Sequence, residues 1–69
     1  MSQQTSAGVA IRKARQRKRM TQSDLAGALG VSNITVANWE SGKHFPQRYA
    51  GLIEEVLEIT LPEPEAAVS

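Results

Sequence analysis

The sequence predicts an all-α domain of four short helices, with room for a fifth, on three observations. Apolar residues recur at helical spacing in successive segments. Between those segments stand paired start and stop signals, a Ser or Thr that can cap a helix start and a glycine that can end one. The chain has 69 residues and no cysteine, so it makes one small domain near the lower size limit for an unstapled core, and packing must hold it.

The first helix is expected over residues 7–19, capped by Thr5 or Ser6. Ala7, Ala10, Ile11 and Ala14 form its narrow apolar stripe, and basic residues fill the other faces. Thr21 caps a second helix, with Asp24 as its capping-box partner and as an acid suited to the positive helix end. Leu25, Ala28 and Leu29 are its expected buried face, and Gly30 suits the left-handed position that terminates helices. Only Val31 then precedes Ser32, another cap, so two helices meet at a tight turn.

The segment that follows, "SNITVANWE", is ambiguous taken alone. Ile34, Thr35 and Val36 are β-branched, Asn33 and Asn38 are poor helix formers, and Asn33-Ile34-Thr35 is a formal glycosylation sequon. Wound as a helix at about 100° per residue, it separates into two faces: Thr35, Trp39 and Val36 lie between about 200° and 300°, and Asn33, Ala37, Ser41, Ile34 and Asn38 between about 0° and 140°. That division gives an anchoring side and a polar side that displays one isoleucine. Ser41-Gly42-Lys43 ends the helix. A last helix is expected from Pro46 or Gln47, with Tyr49, Leu52, Ile53, Val56 and Leu57 inward and Glu54, Glu55 and Glu58 outward. "TLPEPEAAVS" reads as a frayed acidic tail. The expected organisation is a flexible stretch over 1–6, a folded domain over 7–61 and a disordered tail over 62–69.

Several function classes find no support. Without cysteine, thiolate metal sites and disulfides are excluded, and the single histidine, His44, can neither build a metal cluster nor pair with a cysteine nucleophile. There is no glycine-rich phosphate loop, and no nucleophile or pocket residue accompanies His44. No catalytic residue, metal, cofactor or small-molecule ligand is therefore expected, and no enzyme activity. No run approaches the roughly 18 apolar residues of a membrane span, and "MSQQTSAGVA" lacks the basic flank and apolar stretch of a signal peptide. A cytoplasmic protein is expected, which makes the sequon incidental.

The net charge of +1 conceals a division along the chain. Residues 1–48 hold all eight Lys and Arg against Asp24 and Glu40, giving +6, and residues 49–69 hold five Glu and no base, giving −5. Six of the bases fall in "RKARQRKR", residues 12–19. Such a cluster is either a solvated helix face or a surface that attracts phosphates.

Residues 22–41 resemble the helix-turn-helix of the Xre/Cro group, the phage-repressor-like DNA-binding domains. Ala26 in the first helix, Gly30 at the turn and Val36 in the second stand at the required offsets, with Leu25, Leu29, Val31 and Trp39 as the apolar positions between them. Alanine lets two helices approach closely, glycine permits positive φ, and valine packs back into their angle. "TQSDLA" and "WESGK" look like the family's entry and exit signatures, so the resemblance extends over roughly residues 8–59. It implies a lambda-repressor-like fold and double-stranded DNA as partner.

By the same resemblance, Arg15 and Glu40 match a structural ion pair joining helix one to the end of helix three. Ser32, Asn33, Ile34 and Asn38 match the positions that meet bases, where asparagine can bond adenine N6 and N7 and Ile34 can touch a thymine methyl. Gln22, Thr35, Ser41, Lys43 and His44 match backbone-contacting positions, with Arg48 near enough to join them, and Arg12 and Arg17 are the helix-one bases favoured for phosphates. Trp39 at its offset is core. Three departures from the family pattern stand out: Arg19 where a glycine is common, Gly27 inside helix two at a cost of about 1 kcal/mol, and an end near where a fifth helix often lies. A homodimer is expected, formed on DNA if not before, with Leu57, Ile59 and Leu61 as candidate contacts.

The expected function is a transcriptional regulator, a small Cro-like phage or prophage repressor on a pseudo-palindromic operator. A restriction-modification controller or an antitoxin-type regulator is the near alternative. An RNA-binding module using the arginine-rich helix, or a protein-interaction module docking through the acidic last helix, is the more distant one.

Overall fold

The computed structural model describes residues 6–62, and of Ser6 the backbone alone. Thr5, residues 1–5 of the expected N-terminal stretch and residues 63–69 of the expected tail lie outside the described residues. Four helices follow in order, α1 Ser6–Arg17, α2 Gln22–Leu29, α3 Asn33–Ser41 and α4 Ala50–Leu57. The described residues contain no strand and no fifth helix.

Starts and stops set this pattern. Thr21 caps α2, its hydroxyl accepting from Asp24 N at 2.9 Å while the Asp24 carboxylate accepts from Thr21 N at 2.9 Å. Ser32 caps α3, accepting from Thr35 N at 3.3 Å. Every helix ends on a residue in the left-handed region: Arg19 at φ 59°, Gly30 at 76°, Gly42 at 86° and Glu58 at 59°. At each end the next N–H reaches back five residues, Met20 to Arg15, Val31 to Ala26, Lys43 to Asn38 and Ile59 to Glu54, at 2.9–3.1 Å. These bonds satisfy carbonyls the helix leaves unpaired. Glycine adopts this conformation freely; Arg19 and Glu58 adopt it at a cost.

The core lies where α3 crosses α1 and α2, with α4 closing the other side. Ile11, Leu25, Val36 and Ile53 are fully buried, one from each helix. Each contributes on the order of 1.5–3 kcal/mol of hydrophobic stabilisation. Trp39 is buried and its ring stands 5.6 Å from that of Tyr49. At the α1–α3 crossing the backbones nearly touch, for a Cβ built on Gly8 would lie 2.6 Å from the carbonyl oxygens of both Trp39 and Glu40.

Several expectations are corrected. Helix α1 closes at Arg17, because the left-handed Arg19 turns the chain. Ser6 is already helical, one residue inside the stretch expected to be flexible. Helix α4 starts at Ala50, because residues 46–49 form a turn and none of them is a residue type that caps well, so Tyr49 caps without a side-chain bond. Ala28 and Leu52 are exposed, Leu52 at 42%. Thr35 is half-buried, at the edge of the anchoring face rather than within it. Leu57 and Leu61 belong to the core and cannot serve as dimer contacts in this fold. The chain after α4 folds back, and the Glu54 carboxylate accepts from Leu61 N at 2.8 Å, which seats the Leu61 side chain against the core.

Candidate nucleic-acid interface

Helix α3 divides its nine residues between fold and surface. Val36, Trp39 and Glu40 are buried. Ser32, Asn33, Ile34 and Ser41 are exposed, and Ala37 and Asn38 are half-buried. Ile34 is the outlier: a large aliphatic side chain 68% exposed, with no apolar neighbourhood to explain it. Three hydroxyls of α3 and its cap are engaged locally. Ser32 and Thr35 share a hydrogen bond at 3.1 Å, and Ser41 donates to Asn38 O at 3.2 Å. Among the described residues the two asparagine side chains form no such bond.

Behind this surface lies one charged network. Arg15 Nε donates to Glu40 Oε2 at 2.6 Å and its Nη2 to Oε1 at 3.1 Å, a two-pronged pair whose side chains are 11% and 4% exposed. Arg15 Nη1 donates to Met20 O at 2.8 Å, in the turn that leads into α2. Gln22, the first residue of α2, donates from Nε2 to Glu40 Oε1 at 3.1 Å. Among the described residues no buried side-chain polar atom lacks a partner. Burying two charges is unfavourable unless their hydrogen bonds are met, and here they are.

The basic residues fall into separate groups. His44 and Arg48 are exposed and, with Thr35, Asn38, Gln47 and Tyr49 among others, line an open cleft of about 480 Å³ beside the end of α3. Lys43 is exposed at the start of the same loop. On α1, Arg12 is half-buried, and Lys13, Arg17, Lys18 and Arg19 are exposed. Arg17 and Lys18 line a second cleft with Leu57, Glu58 and Ile59, to which α3 contributes nothing, and Lys18 approaches Glu58 at 3.5 Å. The α3 loop bases thus sit beside the exposed polar surface, whereas Arg17 sits against the acidic end of α4.

A helix-turn-helix family matches residues 11–63, more than three quarters of the chain. The chain belongs to the Xre/Cro-like helix-turn-helix family. No curated protein matches it. As a member of this family it is a DNA-binding transcriptional regulator with a lambda-repressor-like fold. In the helix-turn-helix, α2 and α3 are the two arms and residues 30–32 the turn; in motifs of this kind it is the second arm that enters the major groove. Among the described residues no helix is long and apolar enough to cross a membrane, and no group of three or more His, Cys, Asp or Glu could hold a metal ion.

Two features of the fold behind α3 were not read from the sequence. The bond from Gln22 to Glu40 joins residues 18 apart through side chains, and no local pattern announces it. Gly8 did leave a signal: a glycine inside an otherwise helical stretch calls for a packing reason, and the α1–α3 crossing supplies it.

Proposed function

We propose that this chain is a small Cro-like repressor of phage or prophage type, which occupies a pseudo-palindromic operator as a homodimer and reads it through the major groove. The observation that carries the reading is the division of α3, whose buried residues fix the helix while Asn33, Ile34 and Asn38 keep their side chains available. Asparagine can hold adenine N6 and N7 together, and the exposed isoleucine suits a thymine methyl, so the recovered site should favour A·T steps where these residues reach. Each two-bond asparagine–adenine contact of this kind contributes on the order of 1–3 kcal/mol of discrimination.

Backbone contacts fall to groups around that helix. Ser32, at the cap of α3, stays with the base-reading residues; Thr35 and Ser41 offer hydroxyls to the backbone, Gln22 stands at the start of α2, and Lys43, His44 and Arg48 lie on the loop after α3. Arg12 and Arg17 are the α1 candidates, and the place of Arg17 beside Glu58 makes Arg12 the stronger. With Leu57 and Leu61 in the core, the pairing surface passes to Leu52, Val56 and Ile59. Leu52 and Val56 stand one turn apart on α4 and Ile59 follows the left-handed Glu58 that closes the helix; Leu52 is exposed, and Val56 and Ile59, half-buried against the core, retain accessible surface. Three side chains make a small contact, so pairing is completed on DNA, where two half-sites one turn apart hold the copies together.

In-vitro selection of bound duplexes followed by gel-shift titration over salt tests the proposal. The expected result is a two-fold symmetric motif bound far more tightly than random DNA. Equal affinity for both at every salt concentration removes sequence-specific repression from consideration.

A further inference from the structure

We propose that Gln22 is a positioning residue for base reading, because its bond to Glu40 ties the open ends of the helix-turn-helix and sets the angle at which α3 meets the duplex. This rests on the DNA-reading proposal above and adds to it a specificity determinant that touches no base.

The two arms of the motif are joined at residues 30–32, where Gly30 turns in the left-handed region and Ser32 caps α3. Packing of Leu25, Ala26 and Leu29 with Val36 in one core fills the angle between them and sets it, as helix packing does, to within a scatter of roughly 15–20°. Far from that turn, at the first residue of α2 and the penultimate residue of α3, Gln22 Nε2 donates to Glu40 Oε1 at 3.1 Å. A joint at one vertex and a directional bond across the opening make a closed triangle. The bond is to an ionised carboxylate, which makes it stronger than one between neutral groups.

The far side of that carboxylate is fixed as well. Arg15 grips both oxygens of Glu40 and also the Met20 carbonyl in the turn before Gln22. Glu40 therefore does not yield when Gln22 is replaced, and only the tie between α2 and α3 is lost. A carboxylate accepts and never donates, so the amide nitrogen of Gln22 must face it. Side chains of the same reach without an N–H cannot substitute.

The lever is long enough to matter. Asn38 lies six residues beyond Ser32, about 9 Å along the helix. A rotation of about 5° about the turn displaces it by about 0.8 Å, more than the roughly 0.5 Å range of distance over which an N–H···O hydrogen bond is good. Asn33, next to the turn, moves little. Loss of the tie thus weakens discrimination at the base read by Asn38 more than at the base read by Asn33.

The test compares Gln22→Met with the unaltered chain on the selected motif and on random duplex, at a temperature where circular dichroism shows both fully folded. A residue that only touches a phosphate lowers both affinities by the same factor, since phosphate contacts carry no sequence information. A positioning residue lowers the ratio of the two, by about threefold or more, with the loss concentrated on single-base changes at the Asn38 position. The paired replacement R15M/E40M removes the acceptor while leaving Gln22 in place, and the same fall in ratio is expected from it. An unchanged ratio in either folded variant, or an equal loss at the Asn33 and Asn38 positions, overturns the proposal. Absence of any preferred motif for the unaltered chain is a different result and overturns sequence-specific reading itself.

Discussion

The same chemical change, glycine to alanine, should have opposite effects at two helical positions of this chain. In α2, Gly27 is exposed and a Cβ there meets nothing within 4 Å. Gly27→Ala then removes only the conformational penalty of glycine in a helix, a gain of about 0.8–1.0 kcal/mol. In α1, the Cβ of Gly8→Ala would stand 2.6 Å from two backbone carbonyl oxygens, where ordinary contact begins at 3.4 Å. The helices must separate by about 0.8 Å, and the obstructing atoms are backbone, which cannot rotate aside as a side chain can. Overpacking of this kind costs about 1–3 kcal/mol, and with no soft neighbour the upper end applies. Less the propensity gain, the net loss is about 2 kcal/mol. For a domain of this size 1 kcal/mol moves Tm by about 4–8 °C, so Gly27→Ala should melt several degrees higher and Gly8→Ala roughly 10 °C lower. Thermal denaturation followed by circular dichroism, at one protein concentration and one salt, measures both. A Gly8→Ala variant melting at or above the unaltered chain would refute the close crossing of α1 and α3.

Other outcomes follow from the network, the helix ends and the exposed isoleucine. Arg15→Met or Glu40→Met alone strands a buried charge and should cost about 3–5 kcal/mol in urea unfolding, whereas the paired replacement should recover most of that loss. Two single variants no less stable than the pair would contradict the burial of the network. Arg19→Gly relieves a left-handed residue that is not glycine and should raise stability by about 0.5 kcal/mol, read as a higher urea midpoint; a lower midpoint counts against the strained turn. Ile34→Ala should leave the melting temperature nearly unchanged while the preference for the selected motif falls roughly fivefold or more. If instead stability falls and preference holds, Ile34 serves the fold.

The punctuation of this fold was legible because its signals are local. Thr21 and Ser32 as caps and Gly30 and Gly42 as left-handed stops require only the residues beside them, and together they place α2 and α3. The stop at Glu58 left no local signal, and that at Arg19 showed only through the glycine common at its place in the family, since neither residue type favours positive φ. Periodicity identified which side of α4 is apolar but not how much of it finds a partner. Leu52 lies at the edge of the covered face, while Leu61, outside any helix, is drawn into the core by a chain reversal that Glu54 stabilises. The wheel of α3 separated its buried from its accessible residues because a helix anchored by Val36 and Trp39 leaves the opposite side open. Contacts among distant residues stayed invisible, as with Gln22 and Glu40, because their meeting depends on an angle between helices that no short segment encodes.

The only tryptophan in the chain, Trp39, is buried on the inner side of the helix proposed to read DNA, 5.6 Å from the ring of Tyr49. Its emission is therefore a built-in optical gauge of whether α3 is seated. Unfolding moves the indole into water and changes the signal, whereas docking of the outer face on a duplex leaves the indole screened from the bases. Fluorescence thus follows loss of structure without responding to binding, so beside a gel-shift titration it tells a variant that has unfolded from one that is folded but no longer binds.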